Sequence, residues 1–261
     1  MGKFFNVDVL PDCIAGDVSD NNGTDDISGG DIIFNWTAVD VPKGSCLLKS
    51  VIAYVNAEDG AYAAGSLTDY ELIFAKSVSG VVPPSLGTIG GAQDACGQLR
   101  HHYIGAVRLE STAIKGTVTQ ATFGVMFHGG ATGQTNEHAQ QNFVVDLEPT
   151  SGTNVGYDKL YVAGLHVSTR NYGTGVLADG AVTASSAEST TITVKTVDAT
   201  KLFSVGDTVY VMDLDTKIPG TLTKVEATTL TFSEANTTVD ITDGDELINA
   251  NPIRLKLGFE K

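Results

Sequence analysis

The residues of this chain best suited to bind a metal or transfer a proton are its five histidines, His101, His102, His128, His138 and His166. Zinc requires ligand nitrogens that converge at about 2.0–2.1 Å. His101 and His102 are neighbours in a segment typical of a strand, so their side chains should point to opposite faces and not share a metal. His128 and His138 flank a glycine-rich loop beside Glu137 and could meet, although loop histidines more often hydrogen-bond or face solvent. We therefore predict no metal site, with this loop as the alternative.

Carboxylates are numerous, but their spacing fits no catalytic or calcium-binding pattern. Six crowd the first part of the chain: Asp12, Asp17, Asp20, Asp25, Asp26 and Asp31. The EF-hand spacing fails there, and Asp213 and Asp215 begin such a loop without its glycine and final glutamate. Asp69 and Glu71 lie one strand period apart, which is typical of a solvated strand edge rather than a glycosidase pair. The sequence predicts a solvated acidic arm, with weak calcium binding as the alternative.

The chain contains no recognisable nucleophile or cofactor motif. Neither G-x-S-x-G nor G-x-x-x-x-G-K-[ST] occurs. Cys13, Cys46 and Cys96 are widely spaced and odd in number, which predicts three reduced thiols. The single tryptophan, Trp36, is expected in the core, because carbohydrate-binding surfaces generally use several exposed aromatic rings. We predict a protein without catalytic residues, metal ligands or a cofactor.

The charge balance argues against polyanionic partners. Sixteen basic and 31 acidic side chains give a net charge of −15, and the basic residues form no cluster. Binding to nucleic acid or to anionic lipid needs Lys and Arg to replace counterions. No segment has the length and apolar character of a membrane span, and the N-terminus lacks the apolar stretch of a signal peptide. We predict neither nucleic acid nor a membrane as partner, and synthesis in a cytoplasm.

The elements that hold these residues are predicted to be β-strands almost throughout. Charged residues make up only 18% of the chain and glycine contributes 29 residues, a composition typical of sheets and turns. Strand-like runs occupy residues 31–36, 46–56, 69–76, 102–109, 117–127, 143–147, 159–167 and 253–259. The run at 69–76 is apolar on both faces, which indicates a strand covered on both sides or lying at an interface. An all-β, antiparallel sandwich of the jelly-roll type is the expected fold.

The C-terminal part is predicted to form a second, smaller unit. Residues 202–232 contain three short strand-like runs separated by turns at Gly206-Asp207 and Ile218-Pro219-Gly220, a pattern that favours a small barrel. We therefore divide the chain into a flexible acidic arm (1–30), a sandwich (31–178) and a barrel-like module (179–250). The clean alternation in the last strand, within 252–261, favours its return to the sandwich, which would make the barrel an insertion rather than a tail.

Several segments together resemble virion structural proteins of tailed bacteriophages. They are residues 34–44 (FNWTAVDVPKG), 48–51 (LKSV), 74–77 (FAKS), 83–87 (PPSLG) and 203–210 (FSVGDTVY). The resemblance involves both halves of the chain. It implies a particle component, in particular a capsid decoration or cement protein, and it transfers no catalytic residue.

The resemblance implies a virion location, with assembly in the cytoplasm of a host bacterium. The expected partner is the major capsid protein or another virion protein, together with symmetric self-association, for which the decoration role suggests a trimer. The alternative is a tail, neck or fibre component that binds a host-surface glycan or receptor. A hydrolase is the third hypothesis, and it would require a converging His, Asp or Glu site that the sequence does not show.

Overall fold

The computed structural model describes twelve segments, and every structural statement below concerns them. They are residues 2–13, 28–42, 44–56, 69–94, 97–109, 114–118, 121–127, 144–147, 159–167, 175–184, 190–236 and 238–261. For residues 56, 98, 114–118 and 121–127 only the backbone is described.

The described residues form three antiparallel sheets and no α-helix, which confirms the predicted all-β class. The first sheet contains, in spatial order, β1 (Phe4–Val9), β17 (Ile253–Glu260), β3 (Gly44–Asn56), β7 (Ala121–Phe127) and β6 (Ile114–Val118), with β8 (Val144–Leu147) also paired to β3. The second contains β2 (Ile32–Val39), β9 (Leu160–His166), β4 (Tyr70–Lys76) and β5 (Tyr103–Leu109). The third contains β13 (Thr216–Lys217), β12 (Val209–Val211), β16 (Glu246–Asn249), β10 (Val176–Ala178), β11 (Thr191–Lys195), β15 (Thr229–Phe232) and β14 (Leu222–Glu226).

The first and second sheets share one hydrophobic core. It draws Leu48, Val51, Leu255 and Leu257 from the first sheet and Phe34, Leu72, Phe74 and Val162 from the second. Strand alternation, together with the bulge at Lys49 that brings both Leu48 and Val51 to one face of β3, places these side chains on the facing surfaces of the two sheets. The two sheets are therefore held together by burial of apolar surface, which is the main stabilising term in such a packing.

Strand β4 is covered on both faces, which confirms one of the two readings of its sequence. Leu72 and Phe74 face the core shared with the first sheet. Ile73 packs on the opposite side with Leu86, against a segment that crosses the outer face of the second sheet. Trp36 is half-buried against the same cluster, and its indole N–H donates to the Pro84 carbonyl at 2.7 Å.

The last strand of the chain lies inside the first sheet. In β17, Leu257 pairs with Val51 of β3 on one side and with Val7 of β1 on the other. Residues 4–9 are therefore a strand rather than part of the predicted arm. In the sequence, the acidic residues that follow make this segment look like part of the arm. In the structure it alternates as a strand does, with Phe5, Val7 and Val9 less exposed than their neighbours. Residues 14–27, the rest of that arm, lie outside the described residues.

The third sheet has its own core and is open, which corrects the expectation of a closed barrel. Strands β13 and β14 stand at its two edges and do not pair with each other. Backbone hydrogen bonds still connect Leu222 to Gly206 at 2.7 Å and to Asp207 at 2.8 Å, so the sheet curls toward closure without completing a ladder. Strand β10 belongs to this sheet, so the unit begins before the predicted boundary at 178/179.

Three turns with the pattern (Ser/Thr)-x-Gly-Asp start β2, β12 and β16, at residues 28–31, 204–207 and 242–245. Their glycines have φ of 97°, 93° and 97°, a left-handed conformation that glycine adopts without steric cost. In each turn the aspartate Oδ2 accepts a hydrogen bond from the first residue's backbone N–H, at 2.7–2.8 Å. The same type of turn therefore leads into β2 of the second sheet and into β12 and β16 of the third.

A glycine in β9 makes room for a core ring and gives a testable prediction. A Cβ added to Gly164 would lie 2.3 Å from Cε1 of Phe34, whose ring is fully buried. We expect Gly164→Val to lower the free energy of unfolding by about 3 kcal/mol, measured by urea denaturation. Gly97→Ala is the matched control, because no atom lies within 4 Å of its added Cβ. Equal stability of the two variants would contradict a rigidly packed Phe34.

Candidate functional site

The described histidines serve the fold and do not converge. His102 is buried, and its Nδ1 lies 2.8 Å from the Lys76 carbonyl oxygen. His101 ends a 3-10 turn rather than lying in a strand as predicted, because β5 begins only at Tyr103. His166 is buried with its ring centroid 5.4 Å from that of Tyr70. The predicted alternative at His128, His138 and Glu137 lies outside the described residues.

Of the aspartates singled out in the sequence, those that the structure describes are engaged by groups of the chain itself, and Asp17, Asp20, Asp25 and Asp26 lie outside the described residues. Asp69 accepts from Arg108 at 2.8 Å. Asp213 accepts from the Glu246 backbone N–H at 3.0 Å, and Asp215 accepts from the Tyr210 hydroxyl. Asp12 pairs with Lys217. Among the residues that the structure describes, no group of three or more His, Cys, Asp or Glu could hold a metal ion.

The environment of Tyr210, which is buried while its partner Asp215 is exposed, also changes the pKa of the phenol. Burial, followed by the hydrogen bond to Asp215, raises the pKa of Tyr210. The phenol therefore stays protonated and remains the donor across the physiological pH range. A neutral, permanently bonded tyrosine of this kind supports the fold of the third sheet.

The most heavily bonded buried carboxylate is Asp207, whose side chain is only 2% exposed. Its oxygens accept hydrogen bonds from Arg254 Nη2, Asn249 Nδ2 and the Ser204 backbone N–H, each at 2.7 Å. Arg254 belongs to β17 and also donates to the Val205 carbonyl at 3.0 Å. Asp207 therefore connects the turn before β12, in the third sheet, to a central strand of the first.

A second link between the same two sheets follows β1. The backbone N–H of Cys13 donates to the Ala250 carbonyl at 2.9 Å, and Asn251 Nδ2 donates to the Pro11 carbonyl at 2.8 Å. These bonds are partly or fully buried, where hydrogen bonds are electrostatically stronger than in water. Residues 11–13 thus hold the start of the chain against the segment that leads into β17.

The two described cysteines are free thiols in buried positions. Burial raises the pKa of both Cys13 and Cys46, so very little of either exists as the reactive thiolate. We expect neither to react with iodoacetamide at pH 8 until the protein is unfolded, as shown by peptide mapping with and without urea. Rapid labelling of Cys13 in the native chain would contradict its burial.

Exposed apolar side chains, rather than reactive groups, mark the surface of the first sheet. Four residues in direct register form a row across four strands, which we call the apolar row because three of them are apolar and the fourth, a glutamate, is paired with Lys49: Phe4, Glu260, Leu47 and Val144. Directly opposed residues point to the same face of a sheet. Phe4 is 71% exposed and Val144 57% exposed, whereas Leu47 is half-buried. At about 4.8 Å per strand, the row spans roughly 14 Å of rigid surface.

A second exposed apolar group lies at one end of the second sheet. Val81 and Val82 are 63% and 58% exposed and follow a tight turn in which Ser79 and Gly80 have positive φ. Tyr103 is 50% exposed and pairs with Ala75, close to this turn along β4. Both groups could engage a partner surface, and neither contains a reactive group.

Sequence reasoning missed these surface residues. The only signal in the sequence is local, namely Phe4-Phe5 at the start and Val81-Val82 after a Ser-Gly turn. Whether such residues are exposed depends on which strands flank them, and the exposure of Val144 follows from the pairing of β8 with the end of β3.

Two comparisons with known proteins found no match for the chain. No protein-family model matches it. No curated protein matches it either. Within the described segments, no helix is long and apolar enough to cross a membrane.

Proposed function

We propose that this chain is a non-enzymatic structural component of a tailed-bacteriophage particle, a decoration or cement protein that binds and stabilises the capsid shell. The observation that carries the proposal is the apolar row on the first sheet. It places two strongly exposed apolar side chains, Phe4 and Val144, on a sheet whose opposite face is a packed core. Exposed apolar side chains on one face favour a protein-protein contact when a partner covers them together, and this row carries one at each end with half-buried Leu47 and Glu260 between them.

The architecture supports a scaffold that presents a surface. We propose that the first two sheets form a jelly-roll-like sandwich and that the third sheet is a barrel-like module, curled by the bonds of Leu222 to Gly206 and Asp207. Asp207 and residues 11–13 fix the module to the sandwich. A rigid body of this kind loses little conformational entropy on binding, which favours attachment to a shell.

Charge and thiol chemistry support the same role. A net charge of −15 keeps a protein soluble at high local density. Free, buried Cys13 and Cys46 fit assembly in a reducing host cytoplasm. The partners that we propose are the major capsid protein or another virion protein, together with further copies of this chain, without nucleic acid or membrane. For the association between copies of this chain, the decoration role suggests three-fold symmetry.

The proposal is tested by the copy number of the chain in purified particles and by its removal from them. A decoration protein should be present in many copies, and particles stripped of it should lose heat or osmotic resistance. Recovery on adding back the purified chain would support the proposal. A few copies per particle would instead favour the alternative, a neck, tail or fibre component.

A matched pair of variants tests the surface itself. Val144→Asp places a charge in the apolar row and should weaken rebinding to stripped particles at least about tenfold, the effect of roughly 1.4 kcal/mol. Leu214→Asp changes a similarly apolar, 43% exposed residue on the third-sheet unit and should rebind like the parent. If Val144→Asp rebinds like the parent, the apolar row is not the surface that contacts the shell.

A further inference from the structure

The outer edge of β1 presents backbone groups that point away from its own sheet. Lys3 and Lys261 exchange both backbone hydrogen bonds at 2.9 Å, and the register continues without a bulge to Val9. In an antiparallel pair such doubly bonded positions alternate, so the odd-numbered residues of β1 bond to β17. The N–H and C=O groups of Phe4, Asn6 and Asp8 therefore face outward. No described strand pairs with this edge.

The side chains along this edge are suited to a second copy of the same strand. Phe4 is 71% exposed and Leu10 is 38% exposed, and they lie at equal distances on either side of Val7. An antiparallel pairing centred on Val7 places Phe4 opposite Leu10 of the second copy. It also places Asn6 opposite Asp8 of the second copy. Each exposed apolar residue thus meets another, and no like charges oppose each other.

The neighbouring symmetric registers fit less well. Because even-numbered residues must oppose even-numbered residues for outward groups to bond, the alternatives are centred on Asn6 or on Asp8. Centring on Asn6 places Asp8 opposite Phe4. Centring on Asp8 places two aspartates opposite each other, which is destabilising.

The acidity of the chain does not oppose contact at this edge. Lys256 lies 3.6 Å from Asp8, and Lys49 lies 3.2 Å from Glu260, while Lys3 adds a further cation at the start of the strand. The local charge is therefore not negative although the whole chain carries −15. More distant charges are screened beyond about 8 Å at physiological ionic strength.

We propose that two copies of this chain associate through β1, in antiparallel register about Val7, so that their first sheets join into one continuous sheet. The contact is isologous and closes as a dimer. About eight backbone hydrogen bonds and the burial of Phe4 and Leu10 in both copies would hold it. The inference refines the self-association within the proposed function, replacing a three-fold by a two-fold contact. It can be tested in solution without particles, so the two proposals can fail separately.

The oligomeric state of the purified full chain is the first test. Light scattering coupled to size-exclusion chromatography should give a concentration-dependent mass approaching twice the 27.3 kDa of the chain. Leu10→Asp should raise the dissociation constant at least about tenfold, because burying a carboxylate opposite the Phe4 ring of the second copy costs its hydration. Val144→Asp, on the same sheet but distant from the edge, should leave it unchanged. A monomer at all concentrations, or a dimer insensitive to Leu10→Asp, would overturn the proposal.

Directed cross-linking tests the register. Chains with Phe4→Cys and chains with Leu10→Cys should form a disulfide-linked heterodimer when mixed and oxidised, because opposed residues lie within disulfide range. Neither variant alone should cross-link, because two copies of residue 4 are about 20 Å apart in this register. The parent chain, oxidised in parallel, reports any contribution of its own cysteines. Cross-linking of Phe4→Cys alone would contradict the register and with it the proposal.

Discussion

A chain that ends at Asn249 is expected to lose the first sheet, and with it the core shared by the first and second sheets. Strand β17 lies between β1 and β3, and its removal leaves both without their shared partner. It also removes Leu255, Leu257 and Phe259 from the core. At about 2–5 kcal/mol for each large apolar side chain, this loss exceeds the usual stability of a domain. Near-ultraviolet circular dichroism and urea denaturation should show no cooperative transition for this part.

Two point variants in β17 show whether the truncated chain is destabilised by lost core packing or merely by being shorter. Phe259→Ala removes a fully buried ring that stacks on Phe5 with centroids 5.4 Å apart, and should cost about 3–5 kcal/mol. Lys256→Ala in the same strand removes an outward side chain and should change stability by less than about 1 kcal/mol. Cooperative unfolding of the chain truncated at Asn249, with parent-like stability, would show that the first sheet does not need its last strand.

Asp207→Ala is expected to destabilise the chain by about 3 kcal/mol, because it removes a buried acceptor shared by three donors. Asn249 Nδ2 and the Ser204 N–H would lose a partner, and Arg254 would lose its carboxylate. Asp207→Asn should be intermediate, since an amide can accept but carries no charge for Arg254. The measurement is the free energy of unfolding from urea titration.

The control for this prediction is another aspartate that accepts a backbone hydrogen bond. Asp240 is exposed and accepts from the Ala184 N–H at 2.7 Å, so Asp240→Ala should cost less than about 1 kcal/mol. Arg254→Ala should cost less than Asp207→Ala, because the Arg254 side chain is 42% exposed and the carboxylate left behind keeps two donors. The reverse order would mean that the guanidinium, rather than the carboxylate, organises this junction.

Strand identity was largely predictable from the sequence because alternation and β-branched residues are local signals. Segments 46–56, 69–76 and 253–259 are strands β3, β4 and β17 nearly as predicted. The turn residues Gly206-Asp207 and Ile218-Pro219-Gly220 likewise precede β12 and β14. Each of these predictions depends on side-chain periodicity or on a glycine conformation. Both are determined by a few neighbouring residues and can be recognised without knowing the rest of the fold.

What the sequence could not provide was the outcome of pairing between distant segments. The prediction of a flexible arm failed at β1. Its six alternating residues form a stable strand only by pairing with β17, which lies about 250 residues later in the sequence. The prediction of a closed barrel failed because closure requires backbone pairing between the edge strands β13 and β14. No local sequence pattern determines whether that pairing forms. The exposed residues of the apolar row were missed for the same reason, since exposure is decided by the neighbouring strands.

The position of β17 has a consequence for how the chain is made. Because β3 pairs with a strand encoded about 200 residues further on, the first sheet stays incomplete until residues 253–260 have left the ribosome. The third sheet draws all its strands from residues 176–249 and can fold on the ribosome before that moment. During that interval the β3 edge that will bind β17 is an unpaired strand open to other chains, which makes it a point of aggregation. Slow elongation between β3 and β17 should therefore lower the soluble yield.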